Sequence, residues 1–439
     1  MANRQWGKRV LLGLAGLVVI GAIAGWWLAR DEQPNATHMA WAERLDSVDS
    51  PTDAYLWLMG FTAPADDDPL AAGQRFMNDA MEWLANADEE LPFIAVGYSV
   101  SPDWLDNSLP LPRNDKMREL LQCQGLELPP CDQLTSVLDE HALVLERLRA
   151  WPLRGEGLQS SPELATLIPA FQGIVSASQL DLLDQLRLLL TDQPEEALSR
   201  MAEHDRQLRQ ALAETRNLVG AMVMVAVIDE AVNTRVRWVA EGWLPASVVT
   251  EWLADIDRVD QLLFNMILGE FSFVRAFDRD ALDASGGDLS RWYARLAFKA
   301  FFRPVAIMNH TALLYQSMAE LDTPIALSEF VRGERVMPES PRRWDPLHMI
   351  PAPEPFLEYI ARVHDLNAKM TLARTWLAVR PETAGQLTTL AEANPYGEGY
   401  GIEWNDEARL CFSGPLEDRR SIRCLPASLT EHIDERITP

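Results

Sequence analysis

From Ala54 to Val379 the apolar residues fall mostly three and four positions apart, the spacing of one helix face, and most runs open on Ser, Thr, Asp or Pro. Ser50-Pro51-Thr52-Asp53 opens Ala54 to Met59, which Gly60 stops. Asp66-Asp67-Asp68-Pro69 opens Leu70 to Leu84, where Phe76, Met77, Ala80, Met81 and Leu84 share a face. The same pattern predicts helices over Asp115 to Gln124, Asp132 to Ala150, Pro162 to Phe171, Gln179 to Leu190 and Pro194 to Glu214. It continues over Thr215 to Glu241, Ala246 to Leu268, Leu289 to Phe301, Val305 to Leu321 and Phe356 to Val379. Within it, Leu218 to Ile228 is apolar without interruption. A helix apolar on every face belongs inside the core, so this one is expected to be the most buried.

Two stretches break the helical period. Leu91 to Pro112 is irregular, with Phe93 to Val96 reading as a short strand, and the prolines between Met337 and Phe356 are too dense for any helix. Near the C-terminus the texture changes: Asn394-Pro395-Tyr396-Gly397 is turn chemistry, followed by alternating segments at Gly401 to Trp404, Arg409 to Phe412 and Ser421 to Leu425. The expected fold is mainly α. It has an N-terminal transmembrane helix (residues 1–30 with its cytoplasmic stub), a large irregular helical domain (31–385), and a small C-terminal β-hairpin or three-stranded segment with its tail (386–439).

The transmembrane helix is Val10 to Ala29, twenty apolar residues that make a helix of about 30 Å, one bilayer core. Arg4, Lys8 and Arg9 precede it, so the short N-terminal side stays cytoplasmic and the body is sent into the periplasm. A cleaved signal peptide ending near Ala22-Ile23-Ala24 is the rival reading and exports the chain equally. Gly21 and Gly25 form a small-xxx-small spacing through which two anchors can pack.

Charge narrows the partners. With 65 acidic against 39 basic residues the chain carries −26, which leaves no basic footprint for nucleic acid and does not favour a body lying on anionic lipid. Four cysteines stand as two close pairs without a C-x-x-C motif. In an oxidising compartment they read as disulfides, Cys123 with Cys131 across Pro129-Pro130 and Cys411 with Cys424 between β segments.

Catalytic signatures are missing. Gly97-Tyr98-Ser99-Val100-Ser101 lacks the last glycine of a nucleophile elbow, and the glycines of 397–401 have no following Lys-Ser/Thr. The triple Asp reads as a helix cap. No His-x-x-x-His or Glu-x-x-His occurs, His310 stands singly on its helix, and the nearest pairing is Asp345-x-x-His348. Asp229 and Glu230 follow the apolar run with no arginine three or four positions away, so their partners should come from neighbouring helices. No catalytic, metal or cofactor residue is assigned, and no cofactor is expected.

Several features together resemble function-unassigned, helix-rich envelope proteins of Gram-negative bacteria. They are the single N-terminal anchor, Asp53-Ala54-Tyr55-Leu56-Trp57-Leu58-Met59-Gly60-Phe61 with Asp68-Pro69 and Gly73, the Asn217 to Asp229 helix, Phe301-Phe302-Arg303-Pro304 to Asn309, and the terminal Asn-Pro-Tyr-Gly segment. The resemblance implies an exported helical domain and carries no site residue. The expected role is an anchored interaction or accessory component of an envelope assembly, partnered with the inner membrane and an envelope protein. The alternatives are a helical protein that binds lipid or peptide, suggested by Met222, Met224, Trp238 and Trp243, and a periplasmic hydrolase using a carboxylate pair.

Overall fold

A computed structural model describes residues 31–47, 50–86, 101–102, 105–123, 125–126, 131–155, 157–160, 167–169, 171–284, 303–336, 338, 354–379, 394–405 and 409–426. The anchor Val10 to Ala29 with Gly21 and Gly25 lies outside these residues, as do Phe93 to Val96, most of the Gly97 to Ser101 motif, the pairing Asp345 with His348, and the helix expected over Leu289 to Phe301. No helix among the described residues is long and apolar enough to cross a membrane.

The described chain is mainly helical. Its helices are α1 (Ala36–Asp46), α2 (Asp53–Met59), α3 (Pro69–Asn86), α4 (Asn114–Leu120), α5 (Leu134–Glu140), α6 (Ala142–Arg149) and α7 (Gln172–Leu190). They continue with α8 (Pro194–Glu214), α9 (Leu218–Ala240), α10 (Ala246–Trp252), α11 (Val259–Ala284), α12 (Pro304–Ala319), α13 (Pro324–Val331) and α14 (Glu354–Val379). Two strands follow, β1 (Ile402–Trp404) and β2 (Leu410–Phe412), paired antiparallel with Glu403 opposite Cys411. The third expected strand contributes one bridge, Cys411 with Cys424. Both expected disulfides are present, Cys123–Cys131 and Cys411–Cys424.

Local chemistry explains most helix limits. Thr52 caps α2, two residues beyond the expected cap Ser50, which leaves Pro51 before the helix, and Asp68 accepts from the Ala71 amide at 2.9 Å, so the triple Asp does act as a cap. The helix expected over Asp132 to Ala150 divides at His141 into α5 and α6. That expected over Ala246 to Leu268 divides into α10 and α11, with Arg258 just before α11 at φ 53°. The pattern gave no warning of α13, although Thr323 caps it and Pro324 opens it.

α2 and α3 meet backbone to backbone. A methyl group on Gly73 would overlap the Leu56 carbonyl oxygen, and one on Gly60 would overlap that of Pro69. Arg147 of α6 then donates to the carbonyls of Phe61, Ala63, Pro64 and Asp67, fixing the connection between the two helices.

The most buried helix is α7, with α4, α5, α6, α8 and α9 packed around it. Its core face carries Ile174, Leu180, Leu182, Leu183 and Leu186. Ser178, Gln179, Asp181 and Gln185 are buried as well, each with a hydrogen-bond partner. α9 is also central, touching α7, α8, α10, α11 and α14, but it corrects the expectation of burial on every side. Val225, Val227 and Ile228 are buried, whereas Val219 is 46% exposed and Ala226 is exposed. No described residue covers that face.

The segment after the expected anchor is stitched to the body. Asp31 accepts from the Val305 and Ala306 amides at the first turn of α12, and the Asn309 amide group bonds Gln33 and the Asn35 amide. The β region joins the same core through Tyr396, Leu410, Phe412, Ile422 and Leu425. Arg423 pairs with Asp365 of α14 at 2.8 Å, and the Tyr396 hydroxyl donates to the same carboxylate.

Candidate functional site

The uncovered face of α9 forms the floor of a trough of about 760 Å³. Leu218, Val219, Met222, Val223 and Ala226 line it, one strip about 12 Å long at the rise of an α-helix. Leu121 and Val175 close one side, and Tyr359 and Ile422 approach from α14 and the β region.

Four arginines from four parts of the chain edge this strip: Arg118 of α4, Arg237 of α9, Arg362 of α14, and Arg420 before the Cys424 bridge. On a chain of charge −26 this is a local reversal of sign. The two acids of the trough are engaged. Asp229 accepts from Lys369 of α14 at 2.6 Å, and Glu230 accepts from Gln179 of α7 and lies 3.4 Å from Arg118. Partners for both thus come from neighbouring helices, as the spacing required. Burial raises the pKa of Asp229, and Lys369 and Asn233 work against that rise.

The arginines are less well matched. Burial lowers the pKa of Arg237, and Glu241 and Glu230 pull it upward only through space. Arg362 lies 3.9 Å from Glu358 and over the Tyr359 ring, and the Arg420 side chain is exposed. An apolar floor with underpaired guanidinium groups at its edge suits an apolar ligand that carries anions, since Arg binds carboxylate or phosphate bidentately.

A second constellation holds the residue types of a nucleophilic triad and is structural. Ser178 Oγ lies 2.9 Å from His204 Nε2, and Asp181 lies 3.6 Å from Nδ1. All three are buried, and none lines the trough. Arg235 and Gln185 both donate toward Nδ1, so the ring proton sits on Nε2 and points at Ser178, the reverse of what a general base needs. Burial pulls the His204 pKa down to about 4. Ser178, Asp181 and His204 therefore form a packed polar node.

Among the described residues no group of three or more His, Cys, Asp or Glu could hold a metal ion. The two disulfides flank the trough: Cys123 follows Leu121 and Gln122, and Cys424 follows Ile422 by two positions. Sequence reasoning missed the four arginines, because Arg118 and Arg420 are three hundred residues apart and only the fold unites them. The signal present was the apolar run of α9, taken for interior on all sides.

No protein-family model matches the chain, and neither a curated protein nor a solved structure is significantly similar to it.

Proposed function

We propose that this protein is an inner-membrane-anchored component of a bacterial envelope assembly, with its body in the periplasm, that works by binding a partner in the α9 trough. The observation that carries the binding role is the apolar strip of α9 that lines the trough, with Val219 and Ala226 exposed and Met222 and Val223 half-buried between them. Exposed apolar strips rimmed by polar residues mark interaction sites in folded proteins. The charge asymmetry around Val10 to Ala29 and the two disulfides support the compartment. The stitching of Asp31 to α12 supports a body held close to such an anchor, without a loose linker.

The test is a photo-crosslinking residue placed at Ala226 in living cells, with Val336, 83% exposed and outside the trough, as control. A discrete protein adduct at Ala226 and none at Val336 is the expected result. Equal labelling at both positions, or none at Ala226, would remove the binding role. An alkaline phosphatase fusion at Pro439 should be active, and an inactive fusion would place the body on the other side. The apolar lining also favours a second reading, a long-chain lipid, which would appear as a lipid-sized adduct at Ala226.

A further inference from the structure

We infer that the occupant of the α9 trough is an acidic amphipathic helix of a partner protein, seated with its apolar stripe on Val219, Met222, Val223 and Ala226 and its carboxylates against Arg237, Arg362 and Arg420. The inference deepens the binding role proposed above and rests on it.

Shape selects a polypeptide over a small molecule. Sites for small ligands enclose most of the ligand surface, whereas this trough is open along its length. The exposed strip follows α9 for about two turns, the footprint of a helix laid in a groove and anchored at i, i+3, i+4 and i+7. Charge selects the sign of the partner. The acids of the trough already face Lys369, Gln179 and Arg118, so an incoming anion meets guanidinium groups and not carboxylates. Arg237 is the decisive one. It is half withdrawn from water, with carboxylates acting on it only at a distance, so an anion arriving there restores what burial removed. A basic helix would meet Arg118, Arg237, Arg362 and Arg420 as like charges, and the rest of an acidic surface would repel other acidic segments. Selection for an acidic helix thus comes from the trough alone.

The test uses the full chain in detergent and fluorescent helical peptides of about 18 residues, five turns, with leucine at i, i+3, i+4 and i+7. Three versions carry Glu, Gln or Lys beside the leucine stripe. Exposed ion pairs are individually worth only a few-fold, so three of them should separate the Glu from the Gln peptide by about tenfold in Kd, a gap that narrows in high salt. Arg237→Gln and Arg420→Gln should each weaken the Glu peptide about twofold, and neither should weaken the Gln peptide. Ala226→Glu, at an exposed position that the fold tolerates, should abolish binding of all three.

Equal affinity for the Glu and Lys peptides, or a Glu preference that survives Ala226→Glu, would overturn the inference. So would a failure of every peptide to bind. If the peptides fail while fluorescent oleate binds the wild type and not Ala226→Glu, the occupant is a lipid and the trough remains a binding site. If the free protein is a dimer that Ala226→Glu converts to a monomer, the occupant is a second copy. Absence of any adduct at Ala226 in cells, by contrast, removes the parent reading and not this one alone.

Discussion

Replacing Arg423 with methionine should release the β region from α14, and its cost should depend on pH in a stated direction. Arg423 and Asp365 are 5% and 2% exposed, and their side chains meet at 2.8 Å while a second guanidinium nitrogen donates to the Leu416 carbonyl. Methionine fills much of the same volume and leaves Asp365 buried with the Tyr396 hydroxyl as donor. Breaking one side of a buried ion pair costs about 3 to 5 kcal/mol. Burial already raises the Asp365 pKa, with Arg423 opposing that rise, so in the variant it rises further. A carboxyl whose folded pKa lies above its unfolded value favours the folded state at low pH and loses that contribution as pH rises through the window between the two. The penalty of Arg423→Met should therefore be full near pH 8 and smaller near pH 5, where the carboxyl takes up a proton. Urea unfolding followed at both pH values measures it, with proteolysis of the segment after Asn394 as the local readout. Removing all three polar groups together, Asp365→Leu with Arg423→Met and Tyr396→Phe, should recover most of the loss, because an apolar replacement leaves no buried charge unpaired and only the half-buried Leu416 carbonyl loses a donor. A cost below about 1 kcal/mol, or one independent of pH, would refute the view that this pair holds the β region down.

Gly73→Ala should destabilise by about 3 kcal/mol, read from the urea midpoint, because its methyl meets the Leu56 carbonyl where α2 and α3 touch; an unchanged midpoint would show that the helices can separate freely. Cys411→Ser should expose the β region to protease while the helical body stays intact, since closing a loop of 13 residues contributes about 3 kcal/mol on the chain-entropy view. Non-reducing peptide mapping checks the pairing itself, and a fragment joining Cys123 to Cys424 would contradict it. Stability should fall between pH 7 and pH 5: His204, pulled to about 4 from 6.5 by burial, takes up its proton only on unfolding. Its contribution is complete above about pH 6.5 and lost on the way down to about pH 4, about 2 kcal/mol of it above pH 5, with buried His364 acting in the same direction. His204→Gln should flatten the profile, and an equally steep profile in that variant would assign the loss to other groups.

What was legible in the sequence follows from how local each cause is. Caps and prolines act within one turn, so Asp68 before α3 and Pro194 opening α8 were readable as helix starts, whereas the helix expected from Thr215 begins only at Leu218, after its cap Asn217. The cysteine pairs were readable because each closes a short loop. The break over residues 253–258 between α10 and α11 was not, since the apolar period runs through it; α10 stops at Leu253, and Arg258 at positive φ sets the start of α11. Nor was the depth of α7 visible. Its buried face includes Gln179, Asp181 and Gln185, residues that read as solvated until Arg149, His204 and Glu230 arrive from three other helices. Composition alone cannot supply such partners, because each belongs to an element elsewhere in the chain.

The trough belongs to the same class of information, with one difference. Leu218 to Ile228 is apolar on every face, and the fold accounts for only part of that, through α7, α8, α11 and α14. On the uncovered face Val219 is left to water and gains little there, since leaving an apolar side chain exposed forfeits about 1.5 to 3 kcal/mol relative to burying it, while Met222 and Val223 beside it are only half-buried against the core. Polar residues on that face would serve folding as well, and on the exposed side of α8 they do, with Glu203 and Arg206 in those places. The apolar surface that Val219, Ala226 and the outer sides of Met222 and Val223 leave open has, on the proposed reading, its cover in the partner helix. The arginines then answer a separate requirement. An apolar strip by itself would accept any hydrophobic segment, including those exposed while other proteins fold. Arg237 in its partly buried setting makes an apolar segment without a carboxylate the poorer occupant, because covering the guanidinium removes it from water and only a carboxylate offsets that cost.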